Sequence, residues 1–245
     1  MKKHLSVFYL IARESIYKLF FSGVLFFALQ SAIYYAVNKD FSFVSSSLGH
    51  RLDSKENFTM ILVFYSALLL FSLLLIKTGM QFNSKSGYTL RRLRINEKWV
   101  FIHQGIYNFL MLMLFFILEV LIMYVLVSFT VAGASEKAGP QAVYITFYES
   151  AFLQNLFAGR DALRAVRNII CIFSYSVNLS AFSYLSRYGK KWIPAFIFAA
   201  LLYIPFAGKI DMTQLEYDVA YICISVIMLY AAAAFVFTRR NKDEI

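Results

Sequence analysis

Charge is the scarce component of this chain. Only 16% of its 245 residues are charged, against 60% hydrophobic, and the mean hydropathy is +0.62. Soluble domains average about 25% charged and about 45–50% apolar residues. The excess is too large for one soluble core, so composition implies a polytopic membrane protein. Cysteine is nearly absent as well. Cys171 and Cys223 both fall inside apolar runs, which excludes a disulfide framework, and no metal-ligand spacing surrounds them. His4, His50 and His103 are isolated, no H-E-x-x-H occurs and no apolar run carries paired aspartates. An intramembrane hydrolase therefore has no catalytic set. The phosphate-cradling pattern G-x-x-x-x-G-K-[ST] is missing too, since Gly189-Lys190-Lys191 lacks the upstream glycine and the hydroxyl residue. The chain is expected to be no enzyme by itself and to bind no cofactor directly. It shows no pore-lining polar pattern, internal repeat or soluble domain.

What the chain does have is apolar runs with basic ends. The formal net charge of +10 is spread over the ends of those runs rather than gathered in one patch. That pattern follows the positive-inside rule and argues against nucleic-acid binding. The expected fold is an all-α integral membrane protein with six spans, at about residues 19–37, 58–76, 105–131, 169–185, 192–207 and 219–237. A span of about 20 residues at about 1.5 Å each covers a bilayer core. The fifth is short and carries Pro194 and Pro205 near its two ends.

Two amphipathic pieces flank these spans. Leu5, Phe8, Ala12, Ile16 and Leu19 recur at helical steps opposite Lys3, Ser6, Arg13 and Tyr17, which reads as an N-terminal interfacial helix. The alternative is a simple extension of the first span. The basic start resembles a signal n-region, but the apolar run lacks a small-x-small cleavage site, so a retained span is expected. Residues 142–157 place Thr146, Ser150 and Gln154 on one helical face, opposite Tyr144, Phe147, Tyr148, Ala151 and Phe152. This reads as an interfacial or re-entrant helix on the outer side. With six spans and both termini cytoplasmic, 16 Lys and Arg lie inside and 8 outside. A crossing by 142–157 would change this to 14 and 10, so the six-span layout is preferred.

Residues 77–104 concentrate the positive charge. Lys77, Lys85, Arg91, Arg92, Arg94 and Lys98 are opposed by Glu97 alone, and Leu90 and Leu93 stand three apart. A short helix there would show a small apolar face beside a basic one. Within the spans, Glu119 lies near the centre of the third, where a carboxylate is costly and points to function. It could line a substrate path, bind a proton or pair at an interface between permeases; the plainer alternative is a protonated or hydrogen-bonded acid facing a neighbouring helix. Asn108 is a further candidate for the path or interface, and like Gln30 it suits interhelical hydrogen bonding. Glu149, Arg160, Asp161 and Arg164 cluster around the outer helix and are expected on a solvated surface.

The loop and the profile around it resemble the small six-span permease subunits of bacterial ABC exporters (ABC-2-like). In that family a coupling helix follows the second span: a hydroxyl and Leu, then basic residues, then a Leu-Pro-apolar-hydroxyl turn. Thr89-Leu90-Arg91-Arg92-Leu93 is similar to the first part, whereas Arg94-Ile95-Asn96 stands where the proline turn would be. Asn96 can still N-cap the third span. The resemblance implies a permease of the bacterial plasma membrane. Thr89, Leu90, Arg91, Arg92, Leu93 and Arg94, within the loop 84–98, would couple it to a separate ATP-binding subunit that holds ATP and Mg. It also implies a second permease subunit and export of a hydrophobic or amphipathic substrate, such as a peptide, a lipid-like molecule or a drug. The alternative for the arginines is that they set topology and bind anionic headgroups of the bilayer. The alternatives for the whole chain are an ATPase-independent secondary transporter or flippase, or a non-transporting membrane scaffold or immunity protein. A secondary transporter calls for an inverted repeat or paired broken helices, and neither is evident in the sequence.

Overall fold

In the computed structural model the described residues are 2–38, 48, 52, 58–80, 96–134, 141–158, 161–187, 189–190, 192–206 and 214–238. All regular structure among them is helical. The helices are α1 (Lys2–Asn38), α2 (Phe58–Met80), α3 (Glu97–Ala134), α4 (Gln141–Glu149), α5 (Ala151–Phe157), α6 (Ala162–Ser186), α7 (Pro194–Leu201), α8 (Tyr203–Phe206) and α9 (Gln214–Thr238). Five of them, α1, α2, α3, α6 and α9, are long and apolar enough to cross a membrane.

The N-terminal interfacial helix expected from the sequence is continuous with the first span, as one helix of 37 residues. The physical reason is the lack of a breaker: neither Gly nor Pro occurs before Gly23, so nothing interrupts the backbone ladder. The Ser15 hydroxyl bonds back to the Ile11 carbonyl at 2.9 Å, leaving the helix intact. The third span likewise begins earlier than hydropathy suggests, at Glu97. Asn96 caps it as expected, its side-chain oxygen accepting from Lys98 N at 3.0 Å. At 38 residues α3 is about 57 Å long, well beyond an apolar core of about 30 Å.

Side-chain pairs give the helices their directions. Along α1 and α3, Ser15 meets Tyr107, Phe26 meets Phe115, Gln30 meets Glu119 and Tyr34 meets Thr130. Both numbers rise together, so α1 and α3 are parallel and α2 must return between them. Ser180 donates to the Phe101 carbonyl, while Phe109 packs edge-on to Phe173, which makes α6 antiparallel to α3. Arg167 with Asp218, Ser174 with Ser225 and Asn178 with Met228 make α9 parallel to α6. Phe115 centres the junction of α1, α2 and α3, with rings of Phe26, Phe27, Phe64 and Phe71 at centroid distances of 5.7, 6.0, 5.9 and 4.9 Å.

Between parallel α6 and α9 the chain has to return, and α7 and α8 make that return. Phe196 packs on Phe182, Phe198 on Tyr175, and the Leu201 carbonyl accepts from Tyr221 OH at 3.5 Å. The break at Leu202 has a chemical cause. Pro205 has no N–H to give the Leu201 carbonyl four residues before it, and Tyr221 supplies the donor instead.

Residues 142–157 are also broken. Ser150 leaves the helical conformation and its hydroxyl accepts from Leu153 N at 3.4 Å, which ends α4 and N-caps α5. Thr146 and Ser150 are buried, whereas Tyr144 and Tyr148 are 69% and 49% exposed. Burial does not follow the two faces as wholes, since Ala151 and Phe152 are buried as well. In lipid the apolar aromatic face belongs outside and hydroxyls belong where protein carbonyls can receive them; the Thr146 hydroxyl bonds to the Ala142 carbonyl at 2.8 Å. Short α5 and α8 pack on each other, so the structure contains a pair of broken helices that hydropathy did not reveal.

Gly105 marks the close approach of α3 to α6. A Cβ there would lie 3.8 Å from Val177 Cγ2 and 3.9 Å from Ser180 Cβ, ordinary contact distances. Gly105→Ala should therefore fold as well as the parent or gain up to roughly 1 kcal/mol from reduced chain entropy. Gly105→Leu should wedge the helices apart and lower the thermal midpoint in detergent. Equal midpoints for Ala and Leu would show that the contact is loose.

Candidate functional site

Helix α6 is the most polar of the long helices and the one the others surround. Arg164, Arg167, Asn168, Cys171, Ser174 and Asn178 recur at steps of three and four, so they share the face turned to α9. The helix starts at Asp161, whose carboxylate accepts from Leu163 N at 3.0 Å. This cap fixes where the first turn begins and so the rotation of Arg164 and Arg167.

Asp218, in the second turn of α9, sits between these two arginines. Arg167 Nη1 donates to Asp218 Oδ1 at 2.5 Å, and Arg164 Nε lies 4.0 Å from Asp218 Oδ2. Arg167 and Asp218 are each only 1% exposed. Two further guanidinium donors are used: Nε and Nη2 reach Asn168 Oδ1 at 3.2 and 2.9 Å, and Asn168 Nδ2 donates to the Asn155 carbonyl in α5 at 2.7 Å. The planar fork of Arg suits this use, because one carboxylate and one amide oxygen together meet three donors. The network joins α9, α6 and α5.

Below this cluster the seam continues with neutral groups. Cys171 Sγ is 3.1 Å from Ser225 Oγ, Ser174 donates to the Ser225 carbonyl at 2.7 Å, and Asn178 reaches the Met228 carbonyl at 3.4 Å. Trp192 Nε1 donates to Asn178 Oδ1 at 3.1 Å, which ties the start of the return segment to the same line. Cys171 faces a hydroxyl rather than a base, so it is not set up as a nucleophile. Among the described residues no group of three or more His, Cys, Asp or Glu could hold a metal ion. The seam joins α5, α6 and α9 through one buried ion pair and a line of neutral hydrogen bonds.

The residues singled out in the sequence are placed differently. Glu119 is fully buried between α3 and α1, where Gln30 Nε2 donates to its Oε1. Asn108 is also fully buried and its Nδ2 reaches the Ser176 carbonyl on α6 at 3.5 Å. The two stand eleven residues apart on α3, about 16 Å along the axis, and belong to different contacts. Thr89, Leu90, Arg91, Arg92, Leu93 and Arg94 lie outside the described residues, as does Arg160.

The expectation of a solvated outer cluster is corrected for Arg164, which is buried against Asp218. Arg167 and Asp218 do not stand out in the sequence because each lies just outside an apolar run and reads as its flank. A usable signal was present: continuing the three-four spacing of Arg164, Arg167, Cys171 and Asn178 through the run shows one polar stripe, and only a buried stripe is tolerable in lipid.

Five long apolar helices around an internal polar seam define a helical membrane protein. Compared with protein-family models, with curated proteins and with solved structures, the chain matches none.

Proposed function

We propose that this chain is the permease subunit of an ATP-driven exporter of the bacterial plasma membrane, worked by a separate ATP-binding subunit that carries ATP and Mg. The observation that carries the reading is the gathering of basic groups and helix ends at one end of the bundle. There Lys98 Nζ reaches the Phe237 carbonyl at 3.4 Å, Arg187 Nη2 reaches Gln104 Oε1 at 3.4 Å, and Ser183 donates to the Ile76 carbonyl at 3.2 Å. The ends of α2, α6 and α9 and the start of α3 thus share one side, which the positive-inside rule makes cytoplasmic. The basic stretch 84–98 follows α2 and runs into the start of α3 in the chain, and it is the segment this reading assigns to the motor.

The reading takes six crossings: α1, α2, α3, α6, the α7–α8 pair and α9. The parallel course of α6 and α9 supports counting α7 and α8 as one crossing, and the antiparallel course of α3 and α6 supports α4 and α5 as a re-entrant pair. A second permease copy or homologue completes the path for a hydrophobic or amphipathic substrate. In the coupling stretch Leu90 and Leu93 seat in a groove of the motor while Arg91, Arg92 and Arg94 pair with acids at its rim.

The test is mild-detergent purification of the tagged chain from its native membrane. A stoichiometric partner carrying a phosphate-binding loop is expected. The double substitution Leu90→Asp, Leu93→Asp should lower partner recovery by at least about tenfold, because an anchor residue is worth about 2 kcal/mol and about 1.4 kcal/mol is tenfold. Unchanged recovery would remove the coupling role. The contact of broken helices α5 and α8 favours one second reading, an ATPase-independent transporter, since such proteins place binding sites at discontinuous helices. Recovery of the chain alone would move the conclusion there.

A further inference from the structure

The contact of α1 with α3 is short of one hydrogen-bond donor. Gln30 and Glu119 are both fully buried, Gln30 in the last third of α1 and Glu119 a little past the middle of α3. Gln30 Nε2 donates to Glu119 Oε1 and lies 3.5 Å from Met123 Sδ. Two acceptors are left over: Gln30 Oε1 and Glu119 Oε2 are buried and have no hydrogen-bond partner among the described residues. Turning the carboxamide over does not help, because it would set its oxygen against a carboxylate oxygen.

Among the described residues no neighbouring group supplies the missing donor. The side chains one turn away on the same helices are apolar: Phe26 on α1, and Phe115 and Met123 on α3. The nearest phenol on α1, Tyr34, pairs with the Thr130 hydroxyl at 3.1 Å and makes no hydrogen bond to either leftover acceptor. The buried guanidiniums of Arg164 and Arg167 stand against Asp218. An ionised carboxylate would therefore hold a full charge in an apolar contact with one amide as its partner, a costly arrangement.

We propose that Glu119 is a proton-binding site, held as the neutral acid by Gln30. The bound proton turns an acceptor-only group into one donor and one acceptor, the complement of a carboxamide. Gln30 and Glu119 then exchange two hydrogen bonds, and both leftover acceptors disappear from the balance. Proton release leaves a charge that only water or a cation can accommodate, so exchange requires α1 and α3 to part at this level. The pair is thus a proton-dependent latch between the two longest helices, whichever transport reading holds.

Infrared difference spectroscopy of the full chain in lipid at neutral pH, parent against Glu119→Gln, tests this. A carbonyl band in the region of neutral carboxylic acids, shifting down in D2O and absent from the variant, is expected. A difference showing only carboxylate bands overturns the proposal. Glu119→Gln replaces the acid by an amide able to make the same two bonds, so its thermal midpoint should stay at the parent value. Should that variant fail to fold, Gln30→Leu provides the second test. Its acid band should move up as the hydrogen bond is lost, and an unmoved band overturns the role of Gln30.

Discussion

Replacing Asp218 by Ala is expected to destabilise the bundle by about 3–5 kcal/mol, the cost of leaving a buried charge without its partner. Arg167 is 1% exposed and gives Asp218 its shortest hydrogen bond. Two of its other donors end on Asn168, which cannot neutralise a guanidinium. Removing the carboxylate therefore strands a positive charge among α5, α6 and α9, and Arg164 Nε loses the carboxylate 4.0 Å away. Both groups are buried by the packed helices, so water does not take over that role.

Thermal unfolding in mild detergent, followed by size-exclusion chromatography, would read the effect as an early loss of the monodisperse peak. The paired change Arg167→Leu, Asp218→Leu should recover part of the loss, because a buried ion pair is often replaceable by apolar groups while half of one is not. If Asp218→Ala unfolded with the parent, the charge cluster would be reached by water and the seam would not be closed. If the paired change were as damaging as the single one, the network through Asn168 and the Asn155 carbonyl would be the important element instead.

Phe115→Ala is the second large expected loss, about 3 kcal/mol, at the low end of what a buried phenylalanine costs when truncated. The low end applies because a helix separated in lipid keeps its side chains in an apolar medium, so what is lost is packing rather than transfer from water. Phe115 is enclosed by Phe26 and Phe27 from α1, Phe64 and Phe71 from α2, and its neighbour Phe116. These rings come from three helices and leave no adjustable surface to close the hole. Phe129→Ala on the same helix serves as the control, since Phe129 is 74% exposed and should change the midpoint little. Equal losses at the two positions would mean that ring count rather than enclosure governs stability.

Legibility varied from element to element. The cap at Asn96 was readable because capping is local: a side-chain oxygen two residues before Lys98 N needs no partner from elsewhere. The break at Leu202 was half readable through Pro205, which removes a donor wherever it falls, but not the tyrosine that compensates. The burial of residues 142–157 is not legible from a single helical wheel, because Ser150 breaks the helix and both faces contribute buried residues. A rule learned for helices at a water interface puts Thr146 and Ser150 outward, and the rule inverts once the helix is packed among others in lipid. The burial of Arg164 is hidden for a related reason: a hydropathy window records that a charge stands near a run, not whether it points into the bundle or out of it.

The amino-acid sequence by itself determined that the chain is helical, that it belongs in a membrane and that one set of helix ends is basic. Those properties follow from composition and from the order of apolar and charged residues along the chain. Tertiary structure alone decided which polar groups meet. Arg167 finds Asp218 across 51 positions, and Gln30 finds Glu119 across 89. Those meetings depend on the direction, depth and rotation of each helix. Hydropathy is blind to all three, because an apolar run reads the same in either direction and around its whole circumference. Packing resolves them, since a buried polar group without a partner costs more than most apolar contacts return.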